Sequence, residues 1–280
     1  TLDCIPCTVN SFLRLLKTGH IPEEKHEPAL RHLLQYLADA DYHQSPPSMA
    51  REMHQMIRDV LKTGDPYKEI KAEHNEKMLD HYHELKMMVQ NARNPIDMAM
   101  RLAMAGNVID FGAQEQLDIM HTLERVVHSE LAIDHSAQLH KALQDAETVF
   151  YIGDNCGEIV LDKLFVETLA HPNLYFAVRG APVLNDATLE DARMIGLDKI
   201  AKLITTGDNA PGAVWEAVSD EFKTVFNRSD VIISKGQGNL EGLIDVKAPL
   251  YFILVIKCDV IAERLAAPKG GFVVKRSDSI

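Results

Sequence analysis

Six short runs of apolar and β-branched residues in the second half of the chain constrain the fold more than any other feature. They lie at residues 148–152, 174–178, 202–205, 231–234, 250–256 and 272–274. Helical segments separate them, and this alternation is typical of α/β proteins. Several runs are apolar without alternation, as expected for strands covered by helices on both faces. The sequence therefore predicts the α/β fold class with a mostly parallel sheet.

A change in composition near residue 146 indicates a domain boundary. Twelve of the 13 histidines and ten of the 11 methionines precede it, whereas eleven of the 15 glycines follow it. Before the boundary, apolar residues recur at helical spacing, as in Met49, Met53, Met56 and Val60. We therefore predict an all-helical domain at residues 1–146 and an α/β domain at residues 147–280. The histidines are expected on the solvated faces of the helices.

Charge and cysteine content exclude several classes of function. The chain has 29 basic and 41 acidic residues and a net charge of −12, which argues against binding to nucleic acid or to an anionic membrane. Neither an apolar run of about 18 residues nor a secretory signal is found, so no membrane contact is expected. Four cysteines are too few for a disulfide-built fold and fit a reducing compartment. The expected location is the cytoplasm.

The first apolar run ends in a polar loop that contains Asp154, Asn155, Gly157 and Glu158. Open α/β sheets bind their ligands at the carboxyl ends of such strands. A neighbouring carboxylate and carboxamide offer oxygen ligands to a hard divalent cation, and the helix that begins near Gly157 favours an anion. A turn with a side-chain cap is the alternative reading of the same residues.

Further polar residues follow the other predicted strands. Because strand ends on one edge of a parallel sheet converge, we expect one crevice that combines metal ligands with phosphate-binding groups. The capping of a following helix is an equal alternative for Asn185 and Asp186. The predicted residues at the later strand ends are Arg179, Asn185, Asp186, Lys235, Asn239 and Lys257.

Two features of the first half add candidates. Asn107 and Asp110 are polar residues in an otherwise apolar stretch, and they are candidates to reach the crevice from the helical domain. Cys4 and Cys7 have half the spacing of a zinc site, and Cys258 is a candidate to join them in a thiol cluster. A structural thiol pair, a redox pair and a metal site are all open readings.

At these residues the sequence resembles the damage-control phosphatase family, formerly a domain of unknown function, and in particular its subfamily with an N-terminal Cys-x-x-Cys. The resemblance spans nearly the whole chain. It is carried by six motifs in order: Asp3-Cys4-Ile5-Pro6-Cys7, Gly106-Asn107-x-x-Asp110, Gly153-Asp154-Asn155-x-Gly157-Glu158, Arg179-Gly180-x-Pro182-x-x-Asn185-Asp186-Ala187-Thr188, Lys235-Gly236-x-Gly238-Asn239-x-Glu241 and Lys257-Cys258.

The resemblance implies a helical N-terminal region followed by a Rossmann-like three-layer domain. It also implies a divalent metal, with Mn²⁺, Mg²⁺, Ni²⁺ and Co²⁺ as candidates, held by Asp154, Asn155 and Asp186 as the catalytic residues. The expected activity is hydrolysis of phosphate monoesters of small metabolites, such as sugar phosphates or damaged nucleotides. Lys235 and Lys257 would bind the phosphoryl group.

Substrate contacts are also expected from Asn107, Glu158, Arg179, Asn185 and Asn239. Glu158 and Asp110 are the candidates for the base, and attack by water is preferred over a covalent intermediate. Two other functions remain open: a carboxyl methyltransferase that uses S-adenosylmethionine, and a non-catalytic protein that binds a metabolite or a metal. The spacing of Gly153 and Gly157 lacks the Gly-x-Gly of a nucleotide loop, which disfavours the methyltransferase.

Overall fold

The computed structural model of the chain describes residues 2–18, 21–61, 65, 67–109 and 117–277. Within this part, the first eight α-helices are α1 (Cys4–Thr18), α2 (His26–Asp39), α3 (Pro46–Leu61), α4 (Lys68–Asp80), α5 (Tyr82–Asn91), α6 (Pro95–Ala105), α7 (Leu117–Val127) and α8 (Ser136–Asp145). The sequence determines their ends locally. For example, the Asn94 side chain accepts a hydrogen bond from the Asp97 N–H at the start of α6, where Pro95 occupies the first turn.

From residue 131 onward the chain alternates strands and helices. The strands are β1 (Leu131–Asp134), β2 (Val149–Ile152), β3 (Leu174–Val178), β4 (Lys202–Thr205), β5 (Val231–Lys235), β6 (Leu250–Val255) and β7 (Phe272–Arg276). The helices between them are α9 (Glu158–Leu169), α10 (Leu189–Met194), α11 (Asp220–Arg228), α12 (Gln237–Leu243) and α13 (Asp259–Leu265). Every residue of β2, β5 and β6 is buried, because helices cover both faces of the sheet.

The seven strands form one sheet in the order β1-β7-β6-β5-β2-β3-β4. The pairs from β6 to β4 are parallel, whereas β6 and β7 are antiparallel. The predicted fold class is thereby confirmed. The chain moves outward from β2 through β3 to β4 and then returns to place β5 on the other side of β2. The sheet therefore has a topological switch point between β2 and β5, which is where open α/β sheets bind ligands.

Helices α1 to α8 divide between two hydrophobic cores. Helices α1 to α3 pack on each other around Phe12, Leu33, Met49 and Met53 in a cluster of their own. Helices α4 to α8 instead share a hydrophobic cluster with the sheet. The boundary at residue 146 stays a prediction, but in the described structure only α1 to α3 have a core separate from that of the sheet.

Two expectations about the first half are wrong. It is not all helical, because β1 pairs in parallel with β7 at the edge of the sheet. This strand has only four half-buried or exposed residues, too few for periodicity to separate it from a helix. The histidines are not all solvated: His54 and His74 are 2% and 8% exposed. Both belong to helices that pack against the rest of the protein, α3 and α4.

Helix α3 lies over the carboxyl edge of the sheet. Arg51 forms an ion pair with Asp208 after β4, and Arg58 donates a hydrogen bond to the carbonyl of Pro182 after β3. The helical part therefore borders the crevice at the switch point. No helix in the described parts of the chain is long and apolar enough to cross a membrane.

Candidate active site

The loops after β2 and β3 are tied together by their backbones. Asn155 and Asp186 form an isolated β-bridge, and the Cys156 N–H donates to the carbonyl of Asn185 at 2.8 Å. The Ala187 N–H donates to the carbonyl of Asp154 at 2.9 Å. These bonds hold Asp154, Asn155 and Asp186 side by side, as the sequence predicted for the ends of adjacent strands. The side chain of Asn185 is half-buried, and its backbone makes the contact.

Arg179, at the end of β3, binds the two predicted metal-ligand carboxylates. Its Nε lies 2.5 Å from Asp186 Oδ2, and its Nη2 lies 3.0 Å from Asp154 Oδ1. Its Nη1 donates to Asn239 Oδ1 at 2.9 Å, and the whole arginine is 1% exposed. We call Arg179, Asp154, Asp186 and Asn239 the Arg179 cluster. Its guanidinium is committed to protein groups, so it positions the carboxylates.

Asn239 has all of its side-chain groups in use. Its Nδ2 donates to the carbonyls of Gly153 and Lys235, and its Oδ1 accepts from the Ala213 N–H as well as from Arg179. It is fully buried, and it connects the loops after β2 and β5. Its predicted contact with substrate is therefore replaced, in this arrangement, by contacts that build the site.

Burial raises the pKa of Asp154 to about 7, and the charges of Asp186 and Glu158 add to the rise. Arg179 and Lys257 act in the opposite direction. Burial also raises the pKa of Asp186. Both carboxylates are thus held close to other anions with little solvent, and a nearby cation would favour their charged forms.

Gly236 keeps space for Asp154. It has φ +79°, and a Cβ at this position would overlap Oδ2 of Asp154. The backbone conformation itself, with ψ 161°, belongs to a region that is essentially restricted to glycine. The Lys235-Gly236 motif therefore requires glycine at its second position, because the loop after β5 passes against the Asp154 carboxylate.

A second buried cation lies deeper. Lys235 Nζ donates to Glu158 Oε1 and Asp162 Oδ1, each at 2.6 Å, and to the carbonyl of Ala103 at 2.8 Å. The Tyr151 hydroxyl donates to Asp162 Oδ1 at 2.7 Å. We call Lys235, Glu158, Asp162 and Tyr151 the Lys235 cluster. An ammonium has three donors, and protein acceptors use all three, so Lys235 presents none to a phosphate in this arrangement.

Lys257 is the lysine of the predicted pair that faces solvent. Its side chain is exposed, and its charge lowers the pKa of both Asp154 and Asp186, which indicates that it lies within electrostatic reach of them. Its backbone N–H donates to Gln237 Oε1 at 2.9 Å, which fixes the loop after β6 to the first turn of α12.

Two asparagines reach the loop after β2 from the helical part. Asn107 Nδ2 donates to Glu158 Oε1 at 2.6 Å, so this predicted residue does come to the site. Asp110 lies outside the described residues. Sequence reasoning missed Asn75, whose Oδ1 accepts from the Gly157 N–H at 2.6 Å. A signal was available: Asn75 shares the buried stripe of α4 with Lys71 and Met78, where polar side chains need partners.

Cys4 lies within electrostatic reach of Cys258, which directly follows the loop after β6. Gln237 Nε2 donates to Cys258 Sγ at 3.4 Å. Burial raises the pKa of Cys4, and the charges of Glu241, Cys258 and Cys7 act on it in the same direction. All three cysteines are free thiols. Their function stays a prediction.

The donor set after β2 and β3 fits a divalent cation. Asp154 and Asp186 provide carboxylates. Asn155 donates its Nδ2 to Asp154 and Glu158, so its Oδ1 joins the two carboxylates only when the amide is turned over, a rotation that exchanges two atoms of similar size. When ionised, the carboxylates of the two clusters outnumber the cations Arg179 and Lys235 by two charges. The described residues contain no group of three His, Cys, Asp or Glu arranged to hold a metal, so the amide oxygen is needed as a third donor.

Comparison with known proteins identifies the family. The damage-control phosphatase ARMT1-like domain matches residues 1–273. The chain is 31% identical to damage-control phosphatase PH1575 of Pyrococcus horikoshii over 98% of this chain and 97% of that protein. It is 32% identical to a damage-control phosphatase of Archaeoglobus fulgidus over 81% of each.

A solved structure is similar over the same extent. The crystal structure of a DUF89 family protein from Pyrococcus horikoshii superposes with a TM-score of 0.90 and 30% identity, and the match covers 99% of this chain and 98% of that one. The chain therefore belongs to the damage-control phosphatase ARMT1-like family, as the resemblance of its motifs suggested.

Proposed function

We propose that this chain is a metal-dependent phosphatase that hydrolyses phosphate monoesters of small metabolites and acts in metabolite damage control. One observation carries the proposal: two carboxylates and a carboxamide meet at the switch point of the sheet, in a group of four carboxylates that, when ionised, outnumber Arg179 and Lys235 by two charges. Two relatives named damage-control phosphatases support the reaction class. The substrates we propose are sugar phosphates or side-product nucleotides.

Asp154, Asn155 and Asp186 are the residues that would hold the ion. A bound divalent cation supplies neutralisation of charge on the phosphoryl oxygens and lowers the pKa of a coordinated water. Mn²⁺, Mg²⁺, Ni²⁺ and Co²⁺ are the candidates, since oxygen donors accept each of them, with Mg²⁺ and Mn²⁺ the best match to carboxylates. Arg179 keeps the two carboxylates at a fixed separation.

The remaining roles fall to Lys257 and Glu158. Lys257 is an exposed ammonium within reach of the metal-ligand carboxylates, and we assign it the phosphoryl group. Glu158 presents Oε2 at 3.3 Å from Asn155 Nδ2, while Oε1 is held by Asn107 and Lys235. We therefore assign to this carboxylate the orientation of a water and the acceptance of its proton. Phosphate-monoester hydrolysis is among the slowest uncatalysed reactions, so both positioning and charge stabilisation are required.

The test measures phosphate release from a panel of sugar and nucleotide phosphates, with and without exhaustive chelation. We expect activity that chelation removes and that Mn²⁺ restores. Asp154→Asn and Asp186→Asn should abolish turnover and weaken Mn²⁺ binding in calorimetry. Asp245→Asn is the control, because Asp245 is an exposed carboxylate paired with Arg264. Activity that survives chelation would refute the metal role.

The same panel separates the alternative functions. A methyltransferase would release no phosphate, and neither would a non-catalytic binding protein. Wild-type protein that binds Mn²⁺ and yet releases phosphate from no member of the panel would overturn the phosphatase proposal.

A further inference from the structure

Helix α9 carries two carboxylates on one face of its first turns. Glu158 and Asp162 are four residues apart, a spacing that puts side chains above one another on a helix. Both are buried, at 1% and 0% exposure, in a helix whose other buried residues are all apolar. Only Glu158 touches a predicted metal ligand, through Asn155. Asp162 lies one turn further from the crevice, and the proposed mechanism gives it no task.

Lys235 connects the two carboxylates. Its ammonium is 2.6 Å from one oxygen of each, and the carbonyl of Ala103 takes its third donor. The Tyr151 hydroxyl, from β2, also donates a hydrogen bond to Asp162. The second oxygen of Asp162, Oδ2, has no hydrogen-bond partner among the described residues. A carboxylate held in this way at 0% exposure costs free energy, so its presence calls for a reason beyond packing.

We propose that Asp162 is a positioning residue that acts through Lys235 to hold Glu158 in its working orientation, an inference that rests on the proposed function. Glu158 is pulled toward the protein by Lys235 and Asn107 at Oε1, and Oε2 is left toward Asn155. The Lys235 ammonium lies between Glu158 and Asp162. The negative charge of Asp162 therefore balances the attraction between the ammonium and Glu158. Tyr151 fixes the position of Asp162 in turn.

Neutralising Asp162 should therefore change Glu158 without touching the crevice directly. In Asp162→Asn, Glu158 is the only anion left on the ammonium, which loses the charge that fixes it from the side of Asp162. The ion pair of Lys235 and Glu158 then shifts as a unit, and Glu158 moves relative to Asn155 and to the water it orients. Partners that orient catalytic-site ligands from behind typically change activity by about 10- to 100-fold. We expect a loss of that size in kcat with little change in KM, because substrate binding depends on other residues.

The experiment is a double-mutant cycle on the Mn²⁺-loaded full chain with an aryl phosphate as substrate. The variants are Asp162→Asn, Glu158→Gln and the two combined. If Asp162 acts through Glu158, adding Asp162→Asn to Glu158→Gln changes kcat by less than about 2-fold, since the group it positions is already altered. An equal loss in both backgrounds would overturn the proposal and leave Asp162 a purely structural residue.

Controls keep the other outcomes separate. Glu167→Gln alters another ion-paired carboxylate of α9 and should leave kcat unchanged, because Glu167 pairs with Lys86 outside the crevice. Mn²⁺ binding by calorimetry should stay within about 3-fold in Asp162→Asn, and thermal unfolding checks its fold.

If Asp162→Asn does not fold, Tyr151→Phe replaces it in the cycle. It keeps the carboxylate and removes one bond, and an additive effect would again overturn the proposal.

Failure of the proposed function has a different signature. It would appear as wild-type protein that releases no phosphate, whereas failure of the positioning role requires an active wild type. Wild-type turnover in Glu158→Gln would remove the role of Glu158 and the positioning role of Asp162 with it.

Discussion

The Arg179 and Lys235 clusters both place a buried cation between two carboxylates, yet they differ in what they leave open. In the Arg179 cluster a planar guanidinium binds each carboxylate along one edge. The Asp154 carboxylate is still 9% exposed, next to the half-exposed Asn155. In the Lys235 cluster the ammonium and Asp162 are 0% exposed. The Arg179 cluster borders the crevice with Asp154, whereas the Lys235 cluster is closed except for Glu158 Oε2, which lies 3.3 Å from Asn155 Nδ2.

The difference follows from the shapes of the two cations. A guanidinium presents donors in one plane and leaves the space above its carboxylates free, whereas an ammonium directs three donors outward and becomes surrounded by acceptors. Arginine is thus suited to hold two metal ligands apart without covering them. Lysine is suited to lock two side chains of one helix together. The comparison favours the Arg179 cluster as the holder of the proposed metal ligands, whereas the Lys235 cluster supports the site and presents only Glu158 Oε2 to it.

The largest expected effect comes from opening the closed cluster. Lys235→Met leaves Glu158 and Asp162 buried without their shared cation, and the loss of one partner of a buried pair costs about 3–5 kcal/mol. We expect that fall in the free energy of unfolding, measured by urea denaturation. Adding Asp162→Asn should recover part of it, because one buried charge is then removed.

Lys163→Met is the matched control on α9, since its ammonium lies 3.8 Å from Glu167 in a half-buried pair. The pair is long and both partners keep contact with solvent, so its loss should cost only about 0–1 kcal/mol. An equal loss in Lys163→Met and Lys235→Met would contradict the contrast between the clusters.

The two clusters also mark how far the sequence predicts this site. Asp154, Asn155 and Asp186 could be found because each follows a strand-like run, and strand ends converge at one edge of a parallel sheet. The direction of the Lys235 side chain could not be predicted in this way. It ends β5, and only the packing of α6 and α9 against the sheet determines that its side chain turns inward to Ala103 and Asp162. A strand-end lysine looks the same whether it faces a phosphate or a carboxylate.

Asp162 and Asn75 were missed for related reasons. Asp162 lies in an apolar helix four residues after Glu158, and that pair of carboxylates on one buried face does indicate an internal cation. The identity of the cation depends on a strand about 70 residues away in the chain. The mostly parallel sheet was predictable because apolar runs report burial on both faces, whereas β1 was too short to leave such a pattern.

Lys257→Met tests the proposed phosphate contact on the solvent-exposed side of the site. If Lys257 binds the phosphoryl group, its replacement removes a charge that is exposed to solvent, so folding should be unaffected. We expect kcat/KM to fall by about 10- to 100-fold, below the loss typical of a fully buried oxyanion donor because solvent screens this charge. Lys247→Met is the control, since Lys247 is an exposed lysine in the segment before β6. Wild-type kcat/KM in Lys257→Met across several phosphate esters would exclude its role.

Gly236→Ala tests whether the position of Asp154 matters to the Arg179 cluster. The added methyl group overlaps Asp154 Oδ2, and φ +79° disfavours any side chain, so we expect a loss of about 1–3 kcal/mol in stability together with a clear fall in activity. Gly270→Ala is the matched control: Gly270 has φ +81°, and no atom lies within 4 Å of its Cβ position. Loss of stability without loss of activity in Gly236→Ala would show that Asp154 tolerates displacement.

His54 differs from the charged groups of both clusters, because it is a buried ionisable group with no counter-charge. Neither ring nitrogen has a hydrogen-bond partner among the described residues. Burial lowers the pKa of His54 from 6.5 to about 3, and the charge of Arg58 adds to the effect. The unfolded chain therefore binds a proton on this residue between about pH 6.5 and pH 3, while the folded chain does not. Stability must rise with pH across that window.

On acidification below pH 6.5, this one residue should remove about 1.4 kcal/mol of stability for each pH unit. His54→Leu cannot be protonated, so the difference in unfolding free energy between wild type and this variant should shrink or reverse as the pH falls from 7 to 5. Urea denaturation at three pH values measures it, with His43→Leu as the control because His43 is exposed. Curves for wild type and His54→Leu that stay parallel would mean that His54 gains a partner on protonation. An isolated buried histidine would then behave like the paired groups of the two clusters.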